Sequence, residues 1–586
     1  MQTTTSRLFV RTLAEAGVRV VAGIPGHSNF SFANALLDEP RITPITLRHE
    51  AVGTFAADAY FRVSGEVMGM FAHTLAGSTN ALAGIGNAYA DSSAMLFIAG
   101  EEARESLGRG AYQELSRSMD GDVAQILRHV TKRSWICHTP LQIVEQTIRA
   151  LKTATVGRPG PVSLHVFFDL WDMPVDIPAW PSMTGFLPAE GRSRPAVASV
   201  ESAADALLQA ERPLILAGNG VNLSRAHQQL VEFAEAHAIP VVTTVTGKGA
   251  FPEDHDLSLG VVGWVGTSTA NWAAQNADVL FAIGSRMTES TTSSWQPSGT
   301  LDPSRTALLQ SDIEPTEVAN VFPVGASLIG DAKDVLCDVG EAIDGWVAPE
   351  AWLAATKAKR DDWRTASEAV RSASGSPLPV GPLVAEVRQL TAGQPLNIVA
   401  DIGKHHKWLV QQFEAHAGDV FVSSMGAGTM GIGPCGAVGA ALGRPSAKTI
   451  AWVGDGGMSM SLAVLPTVAE YQLPILYIVF DDGSYGAVVN AQSNRFRRTS
   501  FSEFNGNGKN PGYRLDLARV AEACGIPARR ITSEDELTAG IKWGLDAPGP
   551  TLLDVIVDRS SVAPDGGGFK LGDIWDHPIY PWAAEF

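Results

Sequence analysis

Two glycine-rich, acidic segments, each following an apolar run, constrain this chain more than any other feature. The first apolar run ends in Gly454-Asp455-Gly456, and the second, one helix-length later, ends in Asp481-Asp482-Gly483. A strand, a helix and a second strand in this order form a βαβ unit, whose parallel strands end at the same edge of a sheet. The sequence therefore predicts that Asp455 and Asp482 lie close together in a crevice of the kind where α/β proteins bind ligands.

The predicted crevice has the chemistry of a magnesium–diphosphate site. Carboxylate oxygens suit a hard divalent cation, and glycines let an anionic ligand approach the backbone closely. A helix expected to begin after Gly457 would direct its free N–H groups at such a ligand. A single Gly-Asp-Gly is more often only a turn, but a second acidic loop one helix away favours the metal site.

The same alternation of apolar runs and helical stretches recurs along all 586 residues, which is too long for one hydrophobic core. We predict an α/β protein with three parallel-sheet domains. The predicted boundaries are 1–178 for the first domain, 196–347 for the central domain, 378–560 for the third domain and 561–586 for a C-terminal tail. A stretch rich in Pro, Gly and Ser between residues 174 and 195 is predicted to be a linker.

Composition excludes several classes of function. A net charge of −18 argues against nucleic acid as a partner, because no basic stripe is available for phosphate groups. The four cysteines are scattered without a CxxC pair, which fits a reducing compartment. No signal region and no apolar run of about 18 residues is present, so we expect no membrane span and a cytoplasmic location.

The two acidic loops resemble the signature of thiamine-diphosphate-dependent enzymes, in which Gly-Asp-Gly is followed, after a helix and a strand, by Asn-Asn. The resemblance implies that Asp455, Asp482 and the carbonyl of Ser484 bind Mg²⁺. Asp481 and Asp482 stand where the family usually has asparagines. The change implies added negative charge beside a diphosphate.

Other motifs support the same family in the same order. TLRHEAVGTFAADAYFRVSG resembles the family's glutamate motif, which implies that Glu50 contacts the aminopyrimidine ring of the coenzyme and favours removal of the thiazolium C2 proton. On its own, an acid at this position could equally cap the next helix. SSMGAGTMGIGPCGAVGAAL is similar to the pyrimidine-pocket loop, and DIGKHHKW to the diphosphate loop. For His405 and His406, a surface or core role remains open beside phosphate contact.

The resemblance assigns cofactor contacts to residues in both terminal domains. They are Pro25, Gly26, Ile402, Gly403, Lys404, His405, Gly428, Met430, Gly454, Gly456, Gly457, Tyr485 and Gly486.

Within the family, the likeness is to acetohydroxyacid (acetolactate) synthases and covers nearly the whole chain, including RPLILAGNG and ADVLFAIGSRM in the central domain and PDGGGFKLGDI in the tail. The central domain of that group binds FAD, which implies a structural flavin here. Glycines after strands are equally required by tight βα turns. The candidate FAD residues are Gly218, Gly220, Gly284, Arg286 and Asp312.

The substrate-side residues depart from those of the synthases. Ala491 stands where they carry a bulky tryptophan, and His27 follows Pro25-Gly26 where related decarboxylases place a polar residue. We predict substrate-side acid–base or hydrogen-bonding roles for His27, His73 and Gln113. Each could also be a loop or core residue with a local partner.

The resemblance implies a carboligase or lyase acting on a 2-oxo acid or related ketone, through an enamine bound to C2 of the coenzyme that is transferred to a second carbonyl. A 2-oxo acid decarboxylase, a C–C hydrolase of a diketone and, from another class, an inactive thiamine- and flavin-binding regulatory protein are alternatives. Because the family holds its coenzyme between two chains, Glu50 and Asp455 are expected to meet only in a homodimer or homotetramer.

Overall fold

Three six-stranded sheets, each with only parallel strand pairs, organise the chain. The computed structural model describes residues 2–114, 122–177, 192–296 and 299–564, and the strands of the three sheets lie within residues 20–167, 213–329 and 396–556. Successive residues of one strand, such as Val20 and Val21, belong to different apolar clusters. Both faces of the first sheet are therefore covered, as is usual for parallel sheets. The predicted fold class is confirmed.

The first domain contains the sheet β3-β2-β4-β5-β7-β6 and a short antiparallel ribbon of β1 and β8. Its strands are β1 (Gln2–Thr4), β2 (Val20–Gly23), β3 (Thr43–Thr46), β4 (Gly69–His73), β5 (Met95–Glu101), β6 (Arg133–Cys137), β7 (Pro161–Phe167) and β8 (Pro174–Asp176). Its helices are α1 (Thr5–Glu15), α2 (Phe30–Leu36), α3 (Glu50–Ser64), α4 (Thr74–Ala90), α5 (Val123–Arg128) and α6 (Pro140–Thr155).

The ribbon corrects the predicted linker between the first two domains. Pro174 to Asp176 pair with the start of the chain, so the irregular connection begins only after them. A proline at the edge of a ribbon is compatible with pairing because its missing N–H faces outward. Residues 178–191 of the predicted linker lie outside the described residues, as do residues 565–586 of the predicted tail.

The central domain has the strand order β11-β10-β9-β12-β13-β14. Its strands are β9 (Pro213–Ala217), β10 (Val241–Thr243), β11 (Ser258–Val261), β12 (Val279–Ile283), β13 (Ala307–Asp312) and β14 (Ala326–Ile329). Its helices are α7 (Val197–Leu208), α8 (Asn219–Ser224), α9 (His227–His237), α10 (Ser268–Asn276) and α11 (Ala332–Ala342).

The helix α12 (Glu350–Arg371) connects the central and third domains. Its buried residues include Trp352, Thr356, Trp363 and Ser367, spaced at helical intervals along one face. The indole N–H of Trp352 donates to the carbonyl of Pro213 in the central domain at 2.8 Å. At its far end, Arg371 pairs with Glu414 of the third domain at 3.0 Å.

The third domain contains the sheet β16-β15-β17-β18-β20-β19. Its strands are β15 (Leu396–Ala400), β16 (Val420–Ser423), β17 (Lys448–Gly454), β18 (Ile475–Asp481), β19 (Ala528–Ile531) and β20 (Thr551–Ile556). Its helices are α13 (Val380–Leu390), α14 (Lys404–Gln412), α15 (Ile432–Gly443), α16 (Asp455–Met460), α17 (Val464–Glu470), α18 (Gly486–Phe496), α19 (Leu517–Ala523) and α20 (Glu534–Asp546).

The first and third domains share one topology. When the strands of each sheet are numbered along the chain, both sheets have the order 2-1-3-4-6-5, whereas the central sheet has the order 3-2-1-4-5-6. All three units alternate strands and helices along the chain, but the central sheet arranges its strands in a different order. Its order is that of dinucleotide-binding α/β folds, with the switch point between β9 and β12.

Helices α3 and α15, which follow the second strand of their respective sheets, pack directly against each other. Gly439 on α15 is required at this contact, because a β-carbon there would lie 1.7 Å from the carbonyl oxygen of Ala56 on α3. One apolar cluster accordingly runs from the first domain into the third and includes Phe55 and Val438. The two domains with matching strand order thus form a single packed unit.

Candidate active site

A cavity of about 400 Å³ lies at the carboxyl edge of the third sheet. Residues that follow β15, β17 and β18 converge on it, as the order of neighbouring parallel strands requires. The predicted site residues in its wall are Ile402, Gly403, Lys404, His405, Gly428, Met430, Gly454, Asp455, Gly456, Gly457, Asp482, Ser484, Tyr485 and Gly486. Every residue that the sequence analysis selected in the third domain for the coenzyme or metal is therefore in one wall.

Two carboxyl groups meet in this cavity. Asp455 and Asp482 follow adjacent strands, and Asp455 accepts the backbone N–H of Gly483 at 2.9 Å. Burial, followed by the charges of Asp481 and Asp482, raises the pKa of Asp455 to about 9. Burial also raises the pKa of Asp482, whose Oδ1 accepts the hydroxyl hydrogen of Ser484 at 2.6 Å. Such a crowded pair of acids is the electrostatic setting that a divalent cation would stabilise.

Gly486 allows this loop to close on Asp482. A β-carbon at Gly486 would lie 2.4 Å from Oδ2 of Asp482, a distance at which something must move. Across the described part of the chain, no group of three or more His, Cys, Asp and Glu side chains is arranged to hold a metal. A cation between Asp455 and Asp482 would therefore take its remaining oxygen ligands from backbone and from a bound anion.

The two adjacent aspartates of the second loop have different surroundings. Asp482 is in the cavity wall, but Asp481 is not. Asp481 instead pairs with Arg514 at 2.9 Å and accepts the backbone N–H of Gly483 at 3.1 Å. Since only Asp482 faces the cavity, the expected addition of negative charge beside a diphosphate is smaller than two aspartates suggest. The positive charges of Lys404 and Arg559 oppose it.

The helix after β17 begins earlier than expected. We predicted that it would start after Gly457, but α16 starts at Asp455 with Gly454 as its N-cap. Glycine at 457 is still required, because a β-carbon there would lie 2.0 Å from Oδ2 of Asp401. The earlier start arises because Asp455 takes helical geometry while its carboxyl group turns back to the next loop, toward Gly483.

His405 and His406 have different environments. His405 lies in the cavity wall and stacks on Phe480 with ring centroids 5.4 Å apart, and its Nε2 has no hydrogen-bond partner among the described residues. Burial lowers its pKa to about 3. His406 instead bonds the hydroxyl of Ser423 at 2.7 Å within the core. A satisfied core histidine describes His406, whereas His405 lies in the cavity wall and its contact with a phosphate stays a prediction.

Glu50 is the first residue of α3 and is 7% exposed. The N-cap is His49, whose Nδ1 accepts the backbone N–H of Ala51 at 3.2 Å, so helix capping does not account for the Glu50 carboxylate. That carboxylate turns to α4 instead, where its Oε2 accepts the side-chain amide N–H of Asn80 at 3.0 Å. Glu50 does not line the cavity of the third domain in the same chain.

The predicted substrate-side residues gather at the carboxyl edge of the first sheet. His73, at the end of β4, bonds Ser28 through Nδ1 at 2.7 Å and Gln113 through Nε2 at 2.6 Å. The ring of His27 lies edge-on to that of His73, with centroids 4.5 Å apart. Gly26 is needed beside them, since a β-carbon there would lie 2.3 Å from the His73 ring. Burial lowers the pKa of His73, which favours its neutral form.

A second cavity, of about 200 Å³, lies at the carboxyl edge of the central sheet. Four of the five candidate FAD residues line it, and they are Gly220, Gly284, Arg286 and Asp312. Gly218 lies behind them, where a β-carbon would be 2.2 Å from the carbonyl oxygen of Gly284. The glycines therefore do serve tight packing. The charged residues in the lining are Arg158 and Arg286 together with Asp91, Asp312 and Asp331.

Asp91, at the end of α4, joins all three domains beside this second cavity. Its carboxylate pairs with Arg62 at 3.2 Å and accepts the backbone N–H of Gly426 at 2.8 Å. Its carbonyl accepts the side-chain amide of Asn219 from the central domain at 3.3 Å. The loop that carries Gly428 is thus held by the same residue that lines the central cavity.

Models of three domains match the chain in the order in which its sheets occur. They are described as the thiamine pyrophosphate enzyme N-terminal TPP binding domain at residues 3–120, the central domain at residues 200–339 and the C-terminal TPP binding domain at residues 401–555. The matches cover well over half of the chain. This chain belongs to the thiamine pyrophosphate enzyme family.

Similar proteins within the thiamine pyrophosphate enzymes are acetolactate synthases. A probable acetolactate synthase large subunit of Methanocaldococcus jannaschii is 32% identical, covering 95% of this chain and 92% of the relative. One from Methanococcus aeolicus is 31% identical, covering 97% and 94%. The chloroplastic acetolactate synthase 2 of Nicotiana tabacum is 29% identical, covering 96% and 84%. The predicted family, an acetolactate-synthase-like thiamine diphosphate enzyme, is confirmed.

Two positions of this thiamine pyrophosphate enzyme were missed by sequence reasoning. Asp401 is fully buried and accepts the backbone N–H groups of Gly431 and Gly433 at 2.8 and 3.3 Å, which fixes the loop carrying Gly428 and Met430. The sequence feature that could have identified Asp401 is its position directly after the apolar run of β15. Glu102 pairs with His27 at 2.8 Å. Its signal was an acid directly after β5, two strands away from β2.

No helix within the described ranges is long and apolar enough to cross a bilayer. Cytoplasmic location and the absence of a nucleic-acid partner remain predictions from composition.

Proposed function

We propose that this chain is a thiamine-diphosphate-dependent carboligase that cleaves a 2-oxo acid or related ketone and transfers a fragment of it to a second carbonyl compound. The observation that carries the proposal is the cavity at the edge of the third sheet, with Asp455 and Asp482 in one glycine-rich wall. Relatives named acetolactate synthase, similar over almost the whole chain, support the same reaction class.

The cavity fits a magnesium–diphosphate group. A hard cation held by Asp455, Asp482 and the carbonyl of Ser484 would offset the burial and repulsion that raise the pKa of Asp455 to about 9. Lys404 adds a positive charge for the phosphate oxygens, and its neighbour His405 lies in the same wall. We assign Ile402 and Gly403 to the diphosphate contact as well, and Tyr485 to the same wall.

When bound, thiamine diphosphate supplies a nucleophilic carbon at C2 of its thiazolium ring. Glu50 would hold a proton against the aminopyrimidine nitrogen. The Asn80 amide fixes one carboxylate oxygen of Glu50 and leaves the other, beside Gly77, available for that contact. Gly428 and Met430 line the cavity where the pyrimidine pocket of the family lies, and Asp401 holds their loop in place.

We infer that the working site needs two chains. Glu50 is absent from the cavity wall of its own chain, and the edge that carries Glu50, Pro25, Gly26 and His27 belongs to a different domain. A homodimer would join that edge to the cavity of a second copy, and a homotetramer would contain two such pairs. Mixing an inactive Glu50→Gln chain with an inactive Asp455→Ala chain should restore about a quarter of the sites on random pairing, whereas a one-chain site would stay inactive.

We also propose that the central cavity binds FAD in a structural role. Arg286 and Arg158 offer guanidinium groups for phosphate oxygens, and Asp312 and the hydroxyl of Ser311, which is buried without a partner among the described residues, offer groups for ribose hydroxyls. Purified protein should show the visible absorption of a flavin, released on denaturation. A colourless protein that takes up no FAD would refute this assignment.

A second candidate is a decarboxylase or a C–C hydrolase that acts on a diketone. It is favoured by the substrate edge, where His27, His73 and Gln113 form a connected set able to hydrogen-bond an additional oxygen. Ala491, where the synthases carry tryptophan, also leaves room for a different acceptor. An inactive regulatory protein is less well supported, because it would not require the Glu50–Asn80 arrangement.

The deciding experiment is turnover of purified protein with thiamine diphosphate and Mg²⁺. Pyruvate is supplied alone, then with a panel of ketone and aldehyde acceptors, then replaced by cyclic diketones, and all products are identified by mass spectrometry. Acetolactate or a mixed acyloin supports the carboligase. Aldehyde release alone supports the decarboxylase, and ring opening of a diketone supports the hydrolase. No product from any substrate would refute the proposed reaction class.

A further inference from the structure

Only one ring nitrogen of His27 has a hydrogen-bond partner among the described residues. This histidine begins a short 3-10 turn, His27–Asn29, after β2, and its Nε2 lies 2.8 Å from Oε1 of Glu102, which follows β5. Its ring is packed edge-on between His73 and Phe168, with centroids 4.5 and 5.9 Å away. Its Nδ1 has no partner in the described part of the chain, and 37% of its side chain is exposed.

Glu102 has no evident structural purpose other than this contact. Its side chain is 9% exposed, and His27 is its hydrogen-bond partner among the residues described. Burying a carboxylate is costly unless it is paired. Glu101, its neighbour, has a separate partner, because it bonds Nδ1 of buried His165 at 2.8 Å. The Glu102–His27 pair is therefore a distinct unit at the substrate edge.

The hydrogen bonds assign different protonation patterns to the two histidines. A carboxylate only accepts, so the Nε2 of His27 carries a hydrogen and its Nδ1 is left to meet another molecule. In His73 both nitrogens are already used, since the Ser28 hydroxyl and the Gln113 amide oxygen occupy them. Of the pair, only His27 can exchange a proton with a bound substrate without breaking an existing hydrogen bond.

We propose that Glu102 is a positioning residue that makes His27 the acid–base group for substrate oxygen. The proposal rests on the proposed carboligase function. When the new C–C bond forms, the π electron pair of the acceptor's C=O bond moves onto its oxygen, and the Nδ1–H of the His27 imidazolium gives that oxygen a proton. When the product is released, the bond that held it to the coenzyme would break with its electron pair left on the coenzyme, the donor-derived hydroxyl becomes a carbonyl, and the His27 imidazole takes the hydroxyl proton back. Glu102 stays ionised throughout, so protons balance over the cycle.

The other charged groups near this pair are few. Glu102 faces His27 from the end of β5, and the charge of Glu50, at the start of α3, reaches the adjacent His73. On the turn after β7, Asp169 is engaged by Arg104. The dominant carboxylate partner of His27 is thus Glu102.

The test compares Glu102→Gln with Glu101→Gln, which removes a matched charge one residue away. We expect Glu102→Gln to lower kcat by about 10- to 100-fold, below the roughly 10²–10⁴-fold of a full acid–base group, with KM changed by less than about 3-fold. The limb of the pH–kcat profile governed by His27 should move to lower pH, because the imidazolium loses a carboxylate. Glu101→Gln should leave kcat and the profile unchanged.

A double variant separates positioning from folding. If Glu102 acts through His27, adding Glu102→Gln to His27→Gln should cause no further loss of kcat. Independent losses that multiply, or an unmoved pH profile in Glu102→Gln, would overturn the proposal. Glu102→Asp should recover part of the loss.

A second readout does not depend on turnover. The titration of His27, followed by NMR of histidine-labelled protein and assigned with His27→Gln, should shift to lower pH in Glu102→Gln and stay in place in Glu101→Gln. If wild-type protein turns nothing over, the carboligase function fails, while this titration still decides the pairing: a shift supports it and no shift overturns it.

Discussion

The first and third sheets have the same strand order, yet their carboxyl edges carry different side chains. In the loop after the first strand, the first sheet has His27 and the third sheet has Lys404. At the end of the third strand, the first sheet has His73 and the third sheet has Asp455. After the fourth strand, Glu102 in the first sheet corresponds to Asp482 in the third. Equivalent positions thus carry imidazoles and a carboxylate on one edge, and a cation and two carboxylates on the other.

The loops after the second strand extend the comparison. Glu50 begins α3 in the first domain, and Gly428 and Met430 precede α15 in the third. These are the two helices that pack together. The comparison teaches that the topology only supplies a set of loop positions, and that side-chain chemistry decides which edge we propose as the anion and metal cavity and which as the proton-transfer surface.

The variant Asp455→Ala is the most severe test of the metal site proposed at the carboxyl edge of the third sheet. Loss of a carboxylate from the cavity should weaken Mg²⁺ binding by at least about 100-fold, more than the roughly 10- to 100-fold typical of changing a residue behind a metal ligand, and turnover should disappear. Calorimetry of Mg²⁺ with thiamine diphosphate measures this. Normal affinity in a folded Asp455→Ala protein would break the assignment of this edge to the metal.

Glu50→Gln tests the first edge. We expect kcat to fall by about 10²–10⁴-fold, because a glutamine cannot hold and release the proton. Coenzyme affinity should change little, since the third edge is untouched. Exchange of the C2 proton, followed by NMR, should slow in parallel with kcat. Turnover at the wild-type rate would remove Glu50 from the mechanism.

The sequence predicted the third edge better than the first. Its residues lie in short contiguous motifs, so Asp455, Asp482 and their glycines could be placed by strand order alone. On the first edge, His27, His73 and Glu102 come from three separate loops, and nothing local to any one of them signals the pairing. The registers that bring them together are set by packing of whole strands.

Other features were not predicted from the sequence for similar physical reasons. The start of α16 and the burial of Asp481 away from the cavity wall depend on contacts with Gly483 and Arg514, which are 28 and 33 residues from Asp455 and Asp481. The different order of the central sheet could not be read from alternating strands and helices, because both orders give the same alternation.

The variant Asp401→Asn tests, through the pH dependence of protein stability, how buried Asp401 supports the pyrimidine-pocket loop. Burial raises the pKa of Asp401 to about 7 in the folded protein, above its ordinary 3.8. The folded state therefore keeps a proton that the unfolded chain releases, and this contribution to stability, complete below about pH 4, is lost as pH rises through about 7.

Asparagine keeps an oxygen for the Gly431 N–H and has no charge to bury. The melting temperature of Asp401→Asn relative to wild type should therefore rise by a few degrees between pH 5 and pH 8. This corresponds to a change on the order of 1–2 kcal/mol in the difference between their free energies of unfolding. Differential scanning calorimetry measures it. A difference that does not depend on pH would show that Asp401 titrates normally.

The smallest effect is expected from Asp481→Asn, compared with Asp482→Asn. Asp481 lies outside the cavity wall, although its charge acts on Asp455, so its change should alter Mg²⁺ affinity by no more than about 3-fold and should lower stability through the lost pair with Arg514. Asp482→Asn removes a charge from the cavity wall and should weaken Mg²⁺ binding by about 10-fold. Equal effects of the two substitutions on Mg²⁺ would contradict the different surroundings of these neighbours.

The junction at Asp91 bears on how this protein can be recombined. Its contacts reach Arg62, Gly426 and Asn219, one in each domain. A chimaera that takes the central or the third domain from a relative would keep two of these contacts and change the third, whereas one that takes the first domain would replace Asp91 itself. A domain exchange is therefore expected to succeed only where the incoming domain offers the same partners to Asp91.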